Sequence, residues 1–165
     1  MDNKKLEKLH SLIKHLKKAH NPQAIFNITT TLLPEMLNAK YCSLFIRNPA
    51  SGELELKAHN HPDIGDNPFI SVGKNKESIM NLALEKKRSL LIRDIEKETG
   101  QTKKNKYKSG TCMCALIRND KKIIGVINFA DKISNDFTKE DLLVVSIISE
   151  LIGTYLSQFD INNFI

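Results

Sequence analysis

The sequence has little cysteine and no long apolar run. Its three cysteines, an odd number, provide no disulfide framework and fit a reducing compartment. No stretch approaches the roughly 18–20 apolar residues that a membrane-spanning helix needs. The first residues lead into a lysine-rich amphipathic helix and not into an apolar signal core, so no secretion signal is expected. We therefore predict a cytoplasmic protein that does not bind membranes.

Several motifs that carry chemistry are also missing from the chain. It contains no Gly-Lys-Ser phosphate loop, no Gly-x-Ser-x-Gly nucleophile elbow and no Cys-x-x-Cys spacing typical of zinc. Arginine is scarce and dispersed, and the two lysine-rich stretches, residues 1–20 and 103–108, have no interleaved aromatic residues for base stacking. The lysines behind the net charge of +6 therefore indicate solvated helix surfaces more than nucleic-acid binding. Because the catalytic motifs named above are missing, no catalytic activity is expected.

The chain is long enough for one compact domain, and its clearest local signal lies in residues 110–142. Two β-branched runs, Thr111–Ile117 and Ile123–Phe129, flank a short polar turn and predict a hairpin. Thr138 and Asp141 then have the spacing of a helix capping box. A hairpin that leads into a capped helix indicates a sheet covered by helices.

Both ends of the chain are predicted to be helical. A first helix over about residues 3–19 carries Leu6, Leu9, Ile13 and Leu16 at coiled-coil spacing, and a last helix over about 139–159 is apolar on more than one face. The apolar stripe of the first helix is narrow, and lysines occupy most of its other positions. We therefore expect this helix to pair with another helix and not to lie on the core. The terminal helices thus predict a homodimer.

The remaining elements are predicted from periodicity and turn residues. They are a helix over 22–37, strands over 40–47, 53–58, 69–72 and 89–92, a helix over 75–87, and a polar, lysine-rich connection over 94–108. The chain accordingly divides into a dimerisation helix (1–20), a main domain (21–160) and a tail (161–165).

The order of these segments resembles the GAF domain family over about residues 22–158. The most specific pieces are Gly125-Val126-Ile127-Asn128, Asp131-Lys132 and Phe137-Thr138-Lys139-Glu140-Asp141, supported by Ser71-Val72-Gly73 and Leu91-Ile92-Arg93-Asp94. The resemblance implies an α/β fold of the α+β type, in which the N- and C-terminal helices pack on one face of an antiparallel sheet and a ligand pocket lies on the other.

The resemblance also implies a sensory or dimerising role, but it specifies no cofactor, because the fold hosts cyclic nucleotides, haem, bilins and other metabolites. The cyclic-nucleotide branch carries an Asn-Lys…Phe…Asp-Glu signature. Here Lys132 and Phe137 are retained, Asp131 stands in place of the asparagine, and Glu140-Asp141 reverses the acidic pair. The GAF domains that bind bilins attach the pigment through a cysteine, commonly beside a histidine. A bilin is not expected here because the chain has no Cys-His pair.

If the fold is right, residues 94–108 cross the pocket as a lid, and their lysines favour an anionic ligand. The residues expected around the pocket are Ser43, Phe45, Asp94, Tyr107 and Asn128. Asn128 is a polar residue in an apolar strand, so it needs a hydrogen-bond partner, either in a ligand or across the sheet.

Two other groups of residues offer chemistry. Cys112 and Cys114 share a strand face and, with Cys42, would suit a redox or soft-metal site, although buried core thiols are the favoured reading. His59, His61, Asp63 and Asp66 have a composition that suits a metal, although a solvated loop is favoured.

The leading hypothesis is a cytoplasmic sensory module that binds a small ligand (a cyclic nucleotide or another metabolite), with an anion favoured over a cation, and signals as a dimer to a separate partner protein. No kinase, cyclase, phosphodiesterase or DNA-binding segment is visible to carry the output. The alternatives are a ligand-free dimerisation or adaptor module and, less favoured, a cysteine-dependent methionine sulfoxide reductase of the GAF type.

Overall fold

A computed structural model describes residues 1–65, 70–102, 111–133 and 136–159. The helices are α1 (Asn3–Lys17), α2 (Pro22–Leu37), α3 (Ile79–Lys86), α4 (Ile95–Thr99) and α5 (Lys139–Leu156). The strands are β1 (Ala39–Arg47), β2 (Leu54–His59), β3 (Ser71–Val72), β4 (Leu90–Ile92), β5 (Cys112–Asn119) and β6 (Lys122–Lys132). Within these ranges, no helix is long and apolar enough to cross a bilayer.

The strands form one sheet in the order β3-β2-β1-β6-β5-β4, and every neighbouring pair is antiparallel. The central strands β1, β5 and β6 are buried on both faces, which explains their almost continuous apolar sequences. The predicted antiparallel sheet and the predicted hairpin are confirmed, with β5 and β6 joined at Asp120-Lys121.

Two hydrophobic cores lie on opposite faces of the sheet. The larger core joins α1, α2 and α5 to the inner faces of β1, β5 and β6, whereas the smaller core joins α3 and the start of α4 to the other face. Alternation along each strand decides which core receives a side chain, so that Leu44 enters the first core and Phe45 the second. The predicted α+β layering, with the terminal helices on one face, is confirmed.

Polar caps set the helix starts. Asn21 accepts a hydrogen bond from the Ala24 amide ahead of Pro22, and Thr138 and Asp141 form the predicted reciprocal capping box of α5. The third helix begins at Ile79 and not near Asn75, because Ser78 is its cap and accepts a hydrogen bond from the Asn81 amide. The predicted start near residue 75 is wrong because residues 74–77 are polar, and the first turn of a solvated helix has the same composition.

The first helix departs from its expectation. Leu12 and Leu16 are buried in the larger core, and Leu9 and Ile13 pack partly against it, so α1 lies on its own chain. Of the four residues in the predicted seam, only Leu6 is exposed, at 45%. The expectation that the narrow apolar stripe is too small for core packing is wrong, because α2 and α5 together provide a surface that the stripe covers.

Candidate functional site

A cavity of about 390 Å³ opens on the sheet face opposite the terminal helices. Its floor is formed by β1, β2 and β6, and its sides by β3, the loop after β2 and the first turn of α3. This volume lies within the range of small-molecule sites in proteins. The apolar lining comprises Phe45, Leu56, Ile64, Ile70, Val72, Met80 and Ala130, and the polar or aromatic lining comprises Tyr41, Cys42, Ser43, His61, Ser71, Lys76, Ser78 and Asn128.

Two polar residues stand side by side on the cavity floor. The register of β1 against β6 pairs Ser43 with Asn128, and directly paired residues project on the same face of a sheet. Asn128 is almost fully buried, whereas Ser43 is partly exposed. The hydroxyl and the carboxamide together supply both donors and acceptors next to an apolar wall.

The loop after β2 places an aromatic pair at the cavity. The rings of Tyr41 and His61 stack with their centroids 4.2 Å apart. The Asp63 amide donates to Nδ1 of His61 at 3.2 Å, which leaves Nε2 as the N–H donor of the ring. Likewise, the His61 amide donates to His59 Nδ1 at 3.0 Å, so His59 Nε2 donates to the Gly65 carbonyl at 2.6 Å.

The composition of this loop also suits a metal site. Within the described residues, no group of three histidine, cysteine or carboxylate side chains is close enough to hold a metal ion. The hydrogen bonds of His59 and His61 order the loop instead, and Asp66 lies outside the described residues.

The electrostatic character of the cavity comes mainly from one cation. Lys76 is exposed at the cavity, and no carboxylate lines the part of it that the structure describes. Such a lining favours an uncharged or anionic molecule over a cation, because a buried cation without a counter-charge is costly.

The structure brings together three of the five residues expected at the pocket. Ser43, Phe45 and Asn128 line the cavity. Asp94 does not, because its carboxylate caps α4 and accepts a hydrogen bond from the Lys97 amide at 3.1 Å. Tyr107 and the lysines at 103, 104, 106 and 108 lie outside the described residues.

The sequence reading missed other residues of the lining. Tyr41 could have been found, since it lies two positions before Ser43 and strand alternation places both on one face. His61, Ser71 and Ser78 come from loops and short elements, and no local pattern indicates that they converge with β1.

The three cysteines lie apart in the two cores and do not form a joint site, in agreement with the favoured interpretation of buried core thiols. Cys42 is paired with Phe129, whereas Cys112 is paired with Ala130, one position along the same strand. Neighbouring positions point to opposite faces, so Cys42 enters the larger core while Cys112 and Cys114 enter the smaller one. All three are buried, and burial raises the pKa of the Cys42 thiol well above its ordinary value.

The end of β6 connects the cavity to the terminal helices. After Asn128 and Ala130, Asp131 takes a left-handed backbone conformation (φ 56°), and Lys132 then binds Asp141 of α5 at 2.5 Å. Lys5 of α1 donates to the other oxygen of the same carboxylate at 3.0 Å. One buried carboxylate thus holds β6, α1 and α5 together.

The family model of the GAF domain matches residues 21–156. The chain belongs to the GAF domain family. By sequence alone, no curated protein matches this GAF chain.

Solved structures agree with this fold. The GAF domain of a phosphoenolpyruvate-protein phosphotransferase from Coxiella burnetii superposes with a TM-score of 0.83 at 16% identity, covering 98% of this chain and 97% of that one. The corresponding domain from Acinetobacter gives 0.82 at 12% identity, with 96% and 95% covered. A free methionine-R-sulfoxide reductase from Neisseria meningitidis, solved with its substrate, gives 0.79 at 14% identity, with 95% and 92% covered. At these identities the likeness concerns the GAF fold alone.

Proposed function

We propose that this GAF domain is a regulatory module that binds a small uncharged or anionic molecule in the cavity and passes the signal on as a dimer to a separate protein. The observation that carries the proposal is the cavity itself. It is open, its walls are mainly apolar, and Ser43, Asn128 and the Nε2–H of His61 offer polar contacts. Such a site suits an apolar body with a few polar substituents, and it supports ligand binding over a ligand-free adaptor.

Signal transfer is proposed through Asp141. A ligand on the floor formed by Ser43 and Asn128 would act on β6, whose end is bonded to α5 and α1 through Lys132, Asp141 and Lys5. A small shift of β6 would then change how the terminal helices pack. The proposed dimer surface is the outer side of these helices, where Leu6 and Ile147 are about half exposed.

Native mass spectrometry of freshly purified protein tests ligand binding. We expect a retained small molecule that is lost in Ser43→Phe, in which the added ring occupies the cavity. Ser51→Phe, which places the same ring in an exposed turn, is the control and should keep the molecule. If the parent protein carries no molecule and no member of a metabolite panel raises its melting temperature, the ligand-binding proposal fails.

We propose that the module is not catalytic, with the reductase as the second candidate because of the structural likeness to the Neisseria enzyme. Cys112 and Cys114 are fully buried and absent from the cavity lining, and a buried thiol in apolar surroundings is a poor nucleophile. The assay supplies free methionine-R-sulfoxide and dithiothreitol and measures methionine. Turnover that disappears in Cys112→Ser would establish the reductase instead.

A further inference from the structure

The outer edge of β4 is the starting observation. Among the residues that the structure describes, β4 is the last strand of the sheet and pairs with β5 alone. Within the described residues, no backbone group of Leu90, Leu91 or Ile92 forms a hydrogen bond on the other side. In an antiparallel sheet such an edge presents alternating N–H and C=O groups, to which an extended peptide can add as a further strand.

A groove runs beside this edge. It measures about 730 Å³ and lies between β4, α4 and the first two turns of α5. Leu91 and Leu142 line it as partly buried apolar residues, and Leu143 at its rim is 61% exposed. An added strand would therefore find apolar contacts for alternate side chains as well as backbone partners.

The groove is strongly cationic. Lys86, Arg88, Arg93 and Lys139 line it and are exposed, and none of them has an ion pair with a described residue. Glu98 is the one carboxylate in the described lining, and it accepts hydrogen bonds from the amides of Arg93 and Asp94 at 2.8 and 3.0 Å. The charge of the groove therefore complements an acidic partner.

The same charge disfavours a second copy of this chain. Pairing two β4 edges would bring two cationic rims together, and like charges across a strand pair are destabilising. Cations on edge strands are a common protection against such self-pairing. The charge of the groove thus favours an acidic partner over a second copy of this chain.

We infer that the groove of β4 and α5 binds an extended, acidic peptide segment of a partner protein, which adds as a strand to β4. One apolar side chain of the peptide lies between Leu91 and Leu142, and its acidic residues face Arg88, Arg93 and Lys139. Because none of these residues lines the small-molecule cavity, the inference goes beyond the proposed ligand binding and does not depend on it.

Two matched fluorescent peptides test the inference on the full chain. Both have a central segment of alternating valine and threonine; one carries glutamates at both ends and the other carries lysines. We expect the acidic peptide to bind at least about ten-fold more tightly, with an affinity that falls as salt rises. Backbone amide shifts of Leu90–Ile92 should accompany binding.

Charge reversal provides the specificity control. In the double variant Arg88→Glu/Arg93→Glu, which alters only exposed side chains, we expect the preference to invert toward the lysine peptide. Lys121→Glu/Lys122→Glu, the same change at the β5–β6 turn, should leave the preference unchanged. Equal binding of both peptides, insensitivity to Arg88→Glu/Arg93→Glu, amide shifts confined to the β3 edge, or self-association through β4 would each overturn the inference.

Discussion

At the scale of single residues, Asp141 forms more hydrogen bonds than the local capping pattern predicts. Its carboxylate accepts from the Thr138 amide, from Lys132 and from Lys5, so it caps α5 and also joins three elements. Burial raises the pKa of Asp141, but the hydrogen bonds from Lys132, Thr138 and Lys5 outweigh burial and hold the pKa below its ordinary value. The charged form is therefore the one that stabilises the fold.

This linkage predicts an acid-dependent stability. Because the folded pKa of Asp141 is lowered, its contribution is complete above the unfolded pKa of about 3.9 and is lost as the pH falls through the folded value. Asp141→Asn should lower the free energy of unfolding at pH 7 by about 3 kcal/mol, since Lys132 and Lys5 lose a buried, charged partner.

Urea denaturation at pH 7 and at pH 3 measures both effects. The difference between Asp141→Asn and the parent should shrink at the lower pH. Asp136→Asn, at an exposed position just before the helix, is the control and should be close to neutral. An equal loss of stability in Asp141→Asn at both pH values would contradict the assigned role of its charge.

At the scale of elements, α5 lies unusually close to the sheet at Gly153. A Cβ at this position would come within 1.6 Å of the Arg118 carbonyl oxygen at the end of β5. Only glycine allows the helix backbone to approach that strand so closely. The contact fixes the position of α5, and with it the position of the carboxylate that links α5 to β6.

Gly153→Ala should therefore destabilise the protein by about 3 kcal/mol, because neither backbone can move away cheaply. Alanine has the better intrinsic helix propensity, so a purely local view predicts the opposite sign. Gly73→Ala is the matched control, since nothing lies within 4 Å of a Cβ there, and it should change stability by less than about 0.5 kcal/mol. Thermal denaturation of both variants measures whether each substitution raises or lowers the stability of the protein.

At the scale of the whole molecule, the terminal helices are already packed on their own chain, yet they retain an apolar outer surface. Ile147 of α5 is 50% exposed, and Leu6 of α1 is 45% exposed. The Met1 amino group binds Glu140 at 3.0 Å and keeps the start of α1 beside α5. A second copy could cover this surface without displacing α1.

Light scattering at micromolar concentration should accordingly give the mass of a dimer. Ile147→Glu should shift the protein to a monomer that remains folded by circular dichroism, because the residue lies outside both cores. Thr154→Glu, exposed on the same helix, serves as the comparison and should leave the mass unchanged. A parent protein that is monomeric at this concentration would refute the proposed dimer.

The local signals of the sequence predicted well wherever neighbouring residues decide the structure. The capping box at Thr138, the Asn21-Pro22 start and the β5–β6 hairpin depend on hydrogen bonds within a few residues, and all are present. Asp94 lies outside the described lining of the cavity, and its carboxylate caps α4 by accepting from the Lys97 amide. Helix capping and ligand contact favour the same residue type, so the sequence does not distinguish them. Likewise, no local pattern could indicate that α1 finds its covering surface on α2 and α5.

The sequence by itself determined the antiparallel sheet, the layer of terminal helices and membership of the GAF family, because periodicity, caps and turns are local and act in a fixed order. Only the tertiary structure decided which distant side chains meet. It separated Cys42 from Cys112 and Cys114 by one step of strand alternation, joined Ser43 to Asn128 through strand register, and placed the His61 loop over Tyr41. These contacts depend on strand register and on loop closure between residues that are far apart in the chain. A short segment of the sequence therefore does not predict them.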